Sequence, residues 1–397
     1  MSMRCLLMVC VLALTIQELA GLQDDKDKRH RIAAHLDGTP LPQPDRLVAI
    51  GDLHGDIVAT RRALRLAEVL HPERDEWVGG KTVVVQVGDQ LDRGDDELQI
   101  LSLLRKLAVQ ARQHEGALHV LIGNHEILST HTARYATRGA LENFFRWQRQ
   151  CMNNSTLTEE EFHANLCDLH EGPLECHASN LQCHELASRL SGSAGLSRYM
   201  ALHPGGMISR TILAEERTTA LIVGQTLFVH AGIDLDHIIG HENPSEALKK
   251  INEEVSAFFR GEKDGLPLPA ASTPDSMVWM RRYGGTHIDA GTCATLNATL
   301  KALPGDVRRM VIGHTIQESK TINSACDGAV WRVDIGMSSG TYGTEPQILE
   351  MWKNGTVNVK KEAAMRFKAE DEGESPRRSF WKIASGIRKS AEKLLEL

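Results

Sequence analysis

The feature that most constrains this chain is a set of five polar, glycine-containing clusters, each of which follows a short apolar run. The clusters occupy residues 51–55, 88–94, 123–126, 230–232 and 313–315. Short apolar runs bounded in this way predict buried strands. In open α/β sheets, ligands bind where the strands end, and glycine lets the backbone turn sharply there. The five clusters therefore predict one polar site built from five strand ends.

Between the clusters, strand-like runs alternate with stretches of helical periodicity. Residues 47–50 are apolar and precede a helical pattern at 57–70, and residues 82–87 precede an amphipathic stretch at 97–112. This alternation predicts an α/β fold. It lapses between residues 140 and 203, which are polar, cysteine-bearing and helical in pattern. We therefore expect a helical insertion there, packed beside the sheet.

The clusters carry residue types that bind divalent metal ions. Asp52 and His54 can reach one ion from one tight turn, and the two carboxylate oxygens of Asp89 can bridge two ions. Amide and imidazole ligands for the second ion would come from Asn124, His230 and His314. Mixed nitrogen and oxygen ligation without thiolate suits Mn²⁺, Fe or Zn²⁺ better than Ca²⁺. Two such ions, about 3.5–4 Å apart, polarise a phosphoryl group and activate a bridging water for in-line attack.

Three further side chains fit the rest of a phosphoryl-transfer site. His125 follows a predicted ligand without being one, so it is placed to protonate a leaving group. Asp92 could accept its other ring N–H and fix its tautomer, and Arg93 offers a planar donor fork for phosphate. His203 precedes a Pro-Gly-Gly turn and competes with His230 as a ligand, but only His230 follows an apolar run.

Together these motifs resemble the calcineurin-like metallophosphoesterases over residues 46–352, apart from the cysteine-bearing segment. Arg93 and Glu126 point to the phosphoprotein phosphatase branch. Three segments, at 230–234, 278–283 and 334–338, resemble those of the Shewanella-like protein phosphatases rather than the classical members. The resemblance implies a four-layer α-β-β-α sandwich, and it gives no reason to expect the regulatory subunits of the classical branch.

The resemblance also implies a role for each residue of the site. The first metal would be held by Asp52, His54 and Asp89, the second by Asp89, Asn124, His230 and His314, and phosphate by Arg93 and Arg281, while His125 would act as the acid that Asp92 orients. Arg282 is adjacent to Arg281 and is the alternative for that position. Mn²⁺ is the expected metal at both sites, with Fe or Zn²⁺ as alternatives.

The function that these observations favour is hydrolysis of phosphomonoesters on a phosphoprotein substrate. One alternative is a hydrolase of dinucleoside polyphosphates or nucleotides, and another is a non-catalytic binding protein on the same scaffold. The net charge is −7 and no basic block is present, so we expect no nucleic-acid partner.

Both ends of the chain predict segments outside the catalytic domain. Residues 1–21 have the basic and then apolar layout of a secretory signal peptide, with a buried first helix as the alternative. We therefore expect a secreted or lumenal protein. Residues 22–45 are charged and then proline-rich, which predicts an extended lead-in. Residues 369–397 predict a charged linker and an amphipathic helix, which would dock on its own domain or, alternatively, on a membrane surface.

The secretory route gives a meaning to the cysteines beyond the signal peptide. Four crowd into one segment, namely Cys151, Cys167, Cys176 and Cys183, and their spacing lacks the Cys-x-x-Cys of common zinc sites. Cys293 and Cys326 would form a further bridge. Glycosylation sequons at Asn153, Asn154, Asn297 and Asn354 fit the same route.

We predict that the four clustered cysteines form two disulfides, with the pairing left open by the sequence. Each closed loop should stabilise the fold by about 2–4 kcal/mol, because it restricts the unfolded chain. Non-reducing peptide mapping of protein from its native compartment checks the bridges. Four free thiols would contradict both the disulfides and the secretory route.

Overall fold

The computed structural model describes residues 38–152, 192–238 and 243–362. The predicted signal peptide, the predicted C-terminal helix and the side chains of the four clustered cysteines lie outside these residues. At the start of the described chain, the end of the lead-in is extended. The backbone N–H of Leu41 donates to the carbonyl of Ile222 at 2.8 Å, and that of Gly224 donates to Leu41 at 2.8 Å.

The first sheet has six strands, in the order β11-β10-β1-β2-β3-β4. Their bounds are β1 Arg46–Ile50, β2 Val83–Gln86, β3 Ala117–Leu121, β4 Arg217–Thr218, β10 Gln347–Trp352 and β11 Val357–Lys361. Strands β1 to β4 are parallel to one another, whereas β10 pairs antiparallel with β1 and β11 pairs antiparallel with β10 at one edge. The apolar runs predicted at 47–50 and 82–87 are thus neighbouring parallel strands, as expected for strands buried on both faces.

The second sheet has five strands, in the order β5-β6-β7-β9-β8. Their bounds are β5 Ala220–Val223, β6 Thr226–Val229, β7 Arg309–Ile312, β8 Asn323–Ala325 and β9 Val330–Arg332. Strands β6, β7 and β9 run parallel, and β5 and β8 pair antiparallel at the two edges.

Seven α-helices connect or cover the strands within the described residues. They are α1 Ile57–Leu66, α2 Glu97–Gln113, α3 Asn124–Leu128, α4 Arg138–Met152, α5 Gly192–Leu202, α6 Pro244–Phe259 and α7 Ala290–Ala302. Short helical turns occupy Ser209–Leu213, Leu235–His237, Leu268–Ala270 and Cys326–Gly328. Helix α1 ends at Leu66, short of the predicted residue 70, because the chain there turns through Glu68 at a φ of 58°. Within residues 38–152, 192–238 and 243–362, every helix is too short or too polar to be a candidate membrane span.

The two sheets pack face to face, with helices on the outer faces. Strand β6 shows the arrangement, because its side chains alternate between two cores. Phe228 packs in the core that also contains residues of the first sheet, whereas Leu227 and Val229 pack in the core beneath α6 and α7. The predicted α-β-β-α sandwich is confirmed. The described parts of the predicted insertion, α4 and α5, are helical and pack against each other.

The bridge predicted between Cys293 and Cys326 is confirmed. It joins α7 to the end of β8, with 5.3 Å between the two Cα atoms. The bridge therefore ties an outer helix to the edge of the second sheet.

Candidate metal centre

The predicted clusters come together at the carboxyl ends of the parallel strands, where the two sheets meet. The Nδ1 atom of His230, which follows β6, lies 2.8 Å from the carbonyl oxygen of Val87, which follows β2. The backbone N–H of His314, which follows β7, donates to the carboxylate of Asp52, which follows β1, at 3.0 Å. Loops of the second sheet are thus bonded directly to loops of the first.

Ligand atoms converge there in two groups. The side chains of His54, Asp89 and His125 offer atoms within 4.8 Å of one another, and those of Asp89, His230 and His314 do the same. Asp89 belongs to both groups, which is the arrangement expected of a bridging carboxylate. Near the second group, Asn124 Oδ1 lies 3.0 Å from His230 Nε2 and 2.8 Å from His314 Nδ1.

The electrostatics of the centre suit bound cations. Burial lowers the pKa of His54 to about 4 and the pKa of His314 to about 3, so both imidazoles are neutral and available as ligands. Burial acts to raise the pKa of Asp89, but the neighbouring histidines, His230 first, hold it well below its ordinary value. Asp89 is therefore ionised, and the mixed nitrogen and oxygen donor set fits two divalent metal ions.

Asp334 is a further buried carboxylate of this centre, and the sequence indicated it only as part of the segment 334–338 that resembles the Shewanella-like protein phosphatases. Burial and the charge of Asp89 raise its pKa to about 6, and its Oδ2 atom has no hydrogen-bond partner among the described residues. Burial, then Asp334 and Asp89, likewise raise the pKa of Asp52 well above its ordinary value. A cation would relieve this crowding of carboxylates. Asp334 follows β9 after one apolar residue, so the strand-end signal that found the other clusters was present here too.

The loop that carries Asp89 is held by the carboxylate of Glu126. This side chain is fully buried and accepts backbone N–H groups from Asp89 at 2.9 Å, Gln90 at 2.8 Å, Leu91 at 3.1 Å and Gly123 at 2.7 Å. Asp89 has a φ of 55°, a left-handed conformation that is unfavourable for residues other than glycine. The four bonds from one carboxylate therefore stabilise a backbone that local preferences oppose.

His125 is held by the predicted partner. Its Nδ1 atom lies 2.7 Å from Asp92 Oδ2, and the two side chains are buried. With Nδ1 engaged, Nε2 is the ring nitrogen left to face the centre, where Arg93 Nη2 lies 3.4 Å away. His125 belongs to the first ligand group with His54 and Asp89, but its bond to Asp92 distinguishes it from the other histidines.

A cleft of about 330 Å³ opens above these groups. Its lining includes seven of the predicted residues, namely His54, Asp89, Arg93, Asn124, His125, Arg281 and His314. The walls also include the larger side chains of Leu128, Tyr135, Trp279 and Ile316. Asp52 and His230 are 3% and 0% exposed and lie beneath the lining.

The structure separates the two pairs of competing residues. Arg281 lines the cleft, with Nη1 3.3 Å from Thr315 Oγ1, whereas Arg282 turns to pair with Asp234. His230 belongs to the second ligand group, whereas His203 stacks on the ring of Tyr199 with 5.3 Å between the centroids.

Comparison with known sequences gives one consistent result. The family model for calcineurin-like phosphoesterases matches residues 45–317. Shewanella-like protein phosphatase 2 of Arabidopsis thaliana is 37% identical over 326 residues, which cover 81% of this chain and 78% of that protein. Shewanella-like protein phosphatase 1 of Plasmodium berghei is 24% identical over 309 residues, which cover 76% of this chain and 69% of that protein.

Solved structures show the same fold. The structure of a mutant cold-active protein tyrosine phosphatase is 20% identical, with a TM-score of 0.55 and coverage of 81% of this chain and 82% of that chain. A cold-active protein-tyrosine phosphatase of a psychrophilic Shewanella species is 19% identical, with a TM-score of 0.51 and coverage of 82% and 84% respectively. At this level of identity the likeness concerns the architecture alone.

The bridging position of Asp89 makes a prediction about metal content. Asp89→Asn keeps the shape of the side chain but removes a negative charge from between two cations, so the variant should lose at least one of two bound ions. Metal analysis of the purified protein checks this loss. Asp95→Asn, an exposed carboxylate of the same loop, is the matched control and should keep both ions. Two retained ions in Asp89→Asn would contradict the bridging role.

Proposed function

Because this chain belongs to the calcineurin-like phosphoesterase family, we propose that it is a metal-dependent protein phosphatase, a hydrolase of phosphoric monoesters on proteins. The observation that carries this function is the shared carboxylate: two buried ligand groups meet at Asp89 beneath a cleft lined by His125 and two arginines. A non-catalytic binding protein would not require a metal centre combined with an oriented acid.

The roles proposed for the ligands follow their places in the centre. The first ion would be held by Asp52, His54 and Asp89, and the second by Asp89, Asn124, His230 and His314. Two such ions, when bound, polarise a phosphoryl group and lower the pKa of the water that attacks phosphorus. Mn²⁺ is our proposal for both positions, and the mixed nitrogen and oxygen donor set, which lacks a thiolate, supports it.

Two arginines are placed to bind the phosphate oxygens. Arg93 and Arg281 are both exposed in the cleft, so their planar guanidinium groups are accessible for paired hydrogen bonds to phosphate. The guanidinium of Arg93 makes a cation–π contact with Tyr135, because its central carbon lies 5.5 Å from the centroid of that ring. The arginines would hold the phosphoryl group over the centre with its leaving oxygen toward His125.

The acid step is assigned to His125. The bond from its Nδ1 to Asp92 holds the ring and leaves the Nε2 proton for the leaving-group oxygen. Asp92 also stabilises the imidazolium form, because its carboxylate is buried beside the ring. The leaving group would depart as a neutral alcohol or phenol.

We also propose that the protein follows the secretory route. The bridge between Cys293 and Cys326 supports an oxidising compartment, and the sequons at Asn297 and Asn354 are exposed. The peptide map that checks the clustered cysteines also reads out glycans at these two positions.

The test of the proposed function compares two sets of substrates. Purified protein loaded with Mn²⁺ should hydrolyse phosphopeptides with a higher kcat/KM than dinucleoside polyphosphates or nucleotides. The open cleft supports this preference, because it presents its arginines to a substrate on a large protein surface. Faster turnover of nucleotides would favour the small-molecule alternative, and the absence of turnover on both sets would contradict the enzyme.

The role of His125 predicts a loss that depends on the leaving group. His125→Asn should lower kcat by roughly 10²–10⁴-fold on alkyl phosphates, the usual range for general acid catalysis. The loss should be smaller on p-nitrophenyl phosphate, whose leaving group needs little protonation. His131→Asn, a nearby histidine outside the cleft lining, is the control. Equal losses on the two substrates would argue against an acid role.

A further inference from the structure

We propose that Arg198 is a positioning residue for the acid, because it fixes Asp92 relative to the helix that carries His125. The inference rests on the proposed function and extends it to a residue of the helical insertion. Arg198 lies in α5 and is 1% exposed. Among the described residues, its guanidinium contacts Asp92, Glu97, Ser129 and the ring of Phe144.

The two oxygens of the Asp92 carboxylate contact different partners. Its Oδ2 atom lies 2.7 Å from His125 Nδ1, and its Oδ1 atom accepts a hydrogen bond from Arg198 Nη2 at 2.9 Å. A carboxylate held at both oxygens cannot rotate without breaking one bond. The orientation of the His125 ring is therefore determined in part by Arg198.

The same guanidinium also reaches the helix on which His125 lies. Nη2 of Arg198 is 2.9 Å from Ser129 Oγ, and Ser129 caps the C-terminus of α3, where its backbone N–H donates to the carbonyl of His125 at 3.0 Å. Arg198 thus contacts both members of the pair, Asp92 through its side chain and His125 through its helix. Arg198 therefore helps to set the distance between Asp92 and His125.

Glu97 completes the cluster. It accepts hydrogen bonds from Arg198 Nε at 2.8 Å and from the backbone N–H of Asp92 at 2.8 Å. Asp92 has a φ of 67°, so its backbone is in the left-handed region and depends on such bonds. Without Arg198, the buried carboxylates of Asp92 and Glu97 would lose the guanidinium that binds both of them, which is strongly unfavourable.

Arg198 itself is held by the insertion. Its guanidinium carbon lies 5.7 Å from the ring centroid of Phe144, a fully buried residue of α4, and α4 packs along α5. The group that orients the acid therefore comes from the insertion, whereas the ligands come from the strand ends. This placement gives the insertion a part in catalysis.

The experiment uses two variants of the full chain loaded with Mn²⁺. Arg198→Lys keeps the buried positive charge but cannot bridge Asp92, Glu97 and Ser129 with one planar fork. The double variant Arg198→Met with Glu97→Gln removes one charge of each sign, which limits the cost of an uncompensated buried charge. We expect both variants to fold and to keep two metal ions. Their kcat on phenyl phosphate should fall about 10–100-fold, the usual cost of losing an outer partner, with a smaller fall on p-nitrophenyl phosphate.

The control is Arg46→Met, which removes another poorly exposed arginine, paired with Glu350 in the first sheet. It should lower the unfolding temperature without changing the ratio of the two rates. Wild-type rates on both substrates in Arg198→Lys, or losses that are equal on the two, would overturn the positioning role while leaving the proposed function intact. A wild-type protein that hydrolyses neither substrate would instead contradict the proposed function.

Discussion

The metal centre depends on the hydrogen bonds that the buried carboxylate of Glu126 accepts. It draws four backbone N–H groups from the loops that follow β2 and β3 onto one side chain, and so it fixes Asp89 in a left-handed conformation between the two ligand groups. Burial and the charge of Asp89 raise the pKa of Glu126, while the backbone bonds oppose them. A carboxylate supplied with this many donors can remain ionised in the interior. The conformation of Asp89, the proposed bridging ligand, is therefore determined by a residue outside both groups of candidate ligands.

The second dependence is on the sandwich itself. Each sheet supplies only part of the ligand set: Asp52 and Asp89 follow strands of the first sheet, and His230 and His314 follow strands of the second. The halves are joined by direct bonds, such as that between the ring of His230 and the carbonyl of Val87. Because the sheets share one apolar core, the packing of that core sets the distance between the two groups of ligands.

A third set of contacts positions His125, the proposed acid, rather than the candidate metal ligands. Asp92 lies in the loop that follows β2 and His125 lies in α3, but Arg198, which joins them, is 106 residues further along the chain than Asp92. Such a buried charge cluster adds little net stability, because the desolvation of its members offsets their attraction. Its value lies in geometry: a single planar fork holds three acceptors at fixed positions around the acid.

The sequence by itself determined the strands that precede the five clusters, the α/β class and the residue types of the centre, because these follow from short-range patterns of periodicity, turns and residue type. The bridge between Cys293 and Cys326 was predicted from the cysteine content and the expected secretory route. The tertiary structure decided the roles that depend on which side chains meet. It placed Arg281 rather than Arg282 at the cleft, added Asp334 to the centre and brought Arg198 to Asp92. No local pattern marks an arginine in a helix as the partner of a distant aspartate. Such a pairing forms only when packing excludes water from the arginine and brings its buried charge beside carboxylates that compensate it.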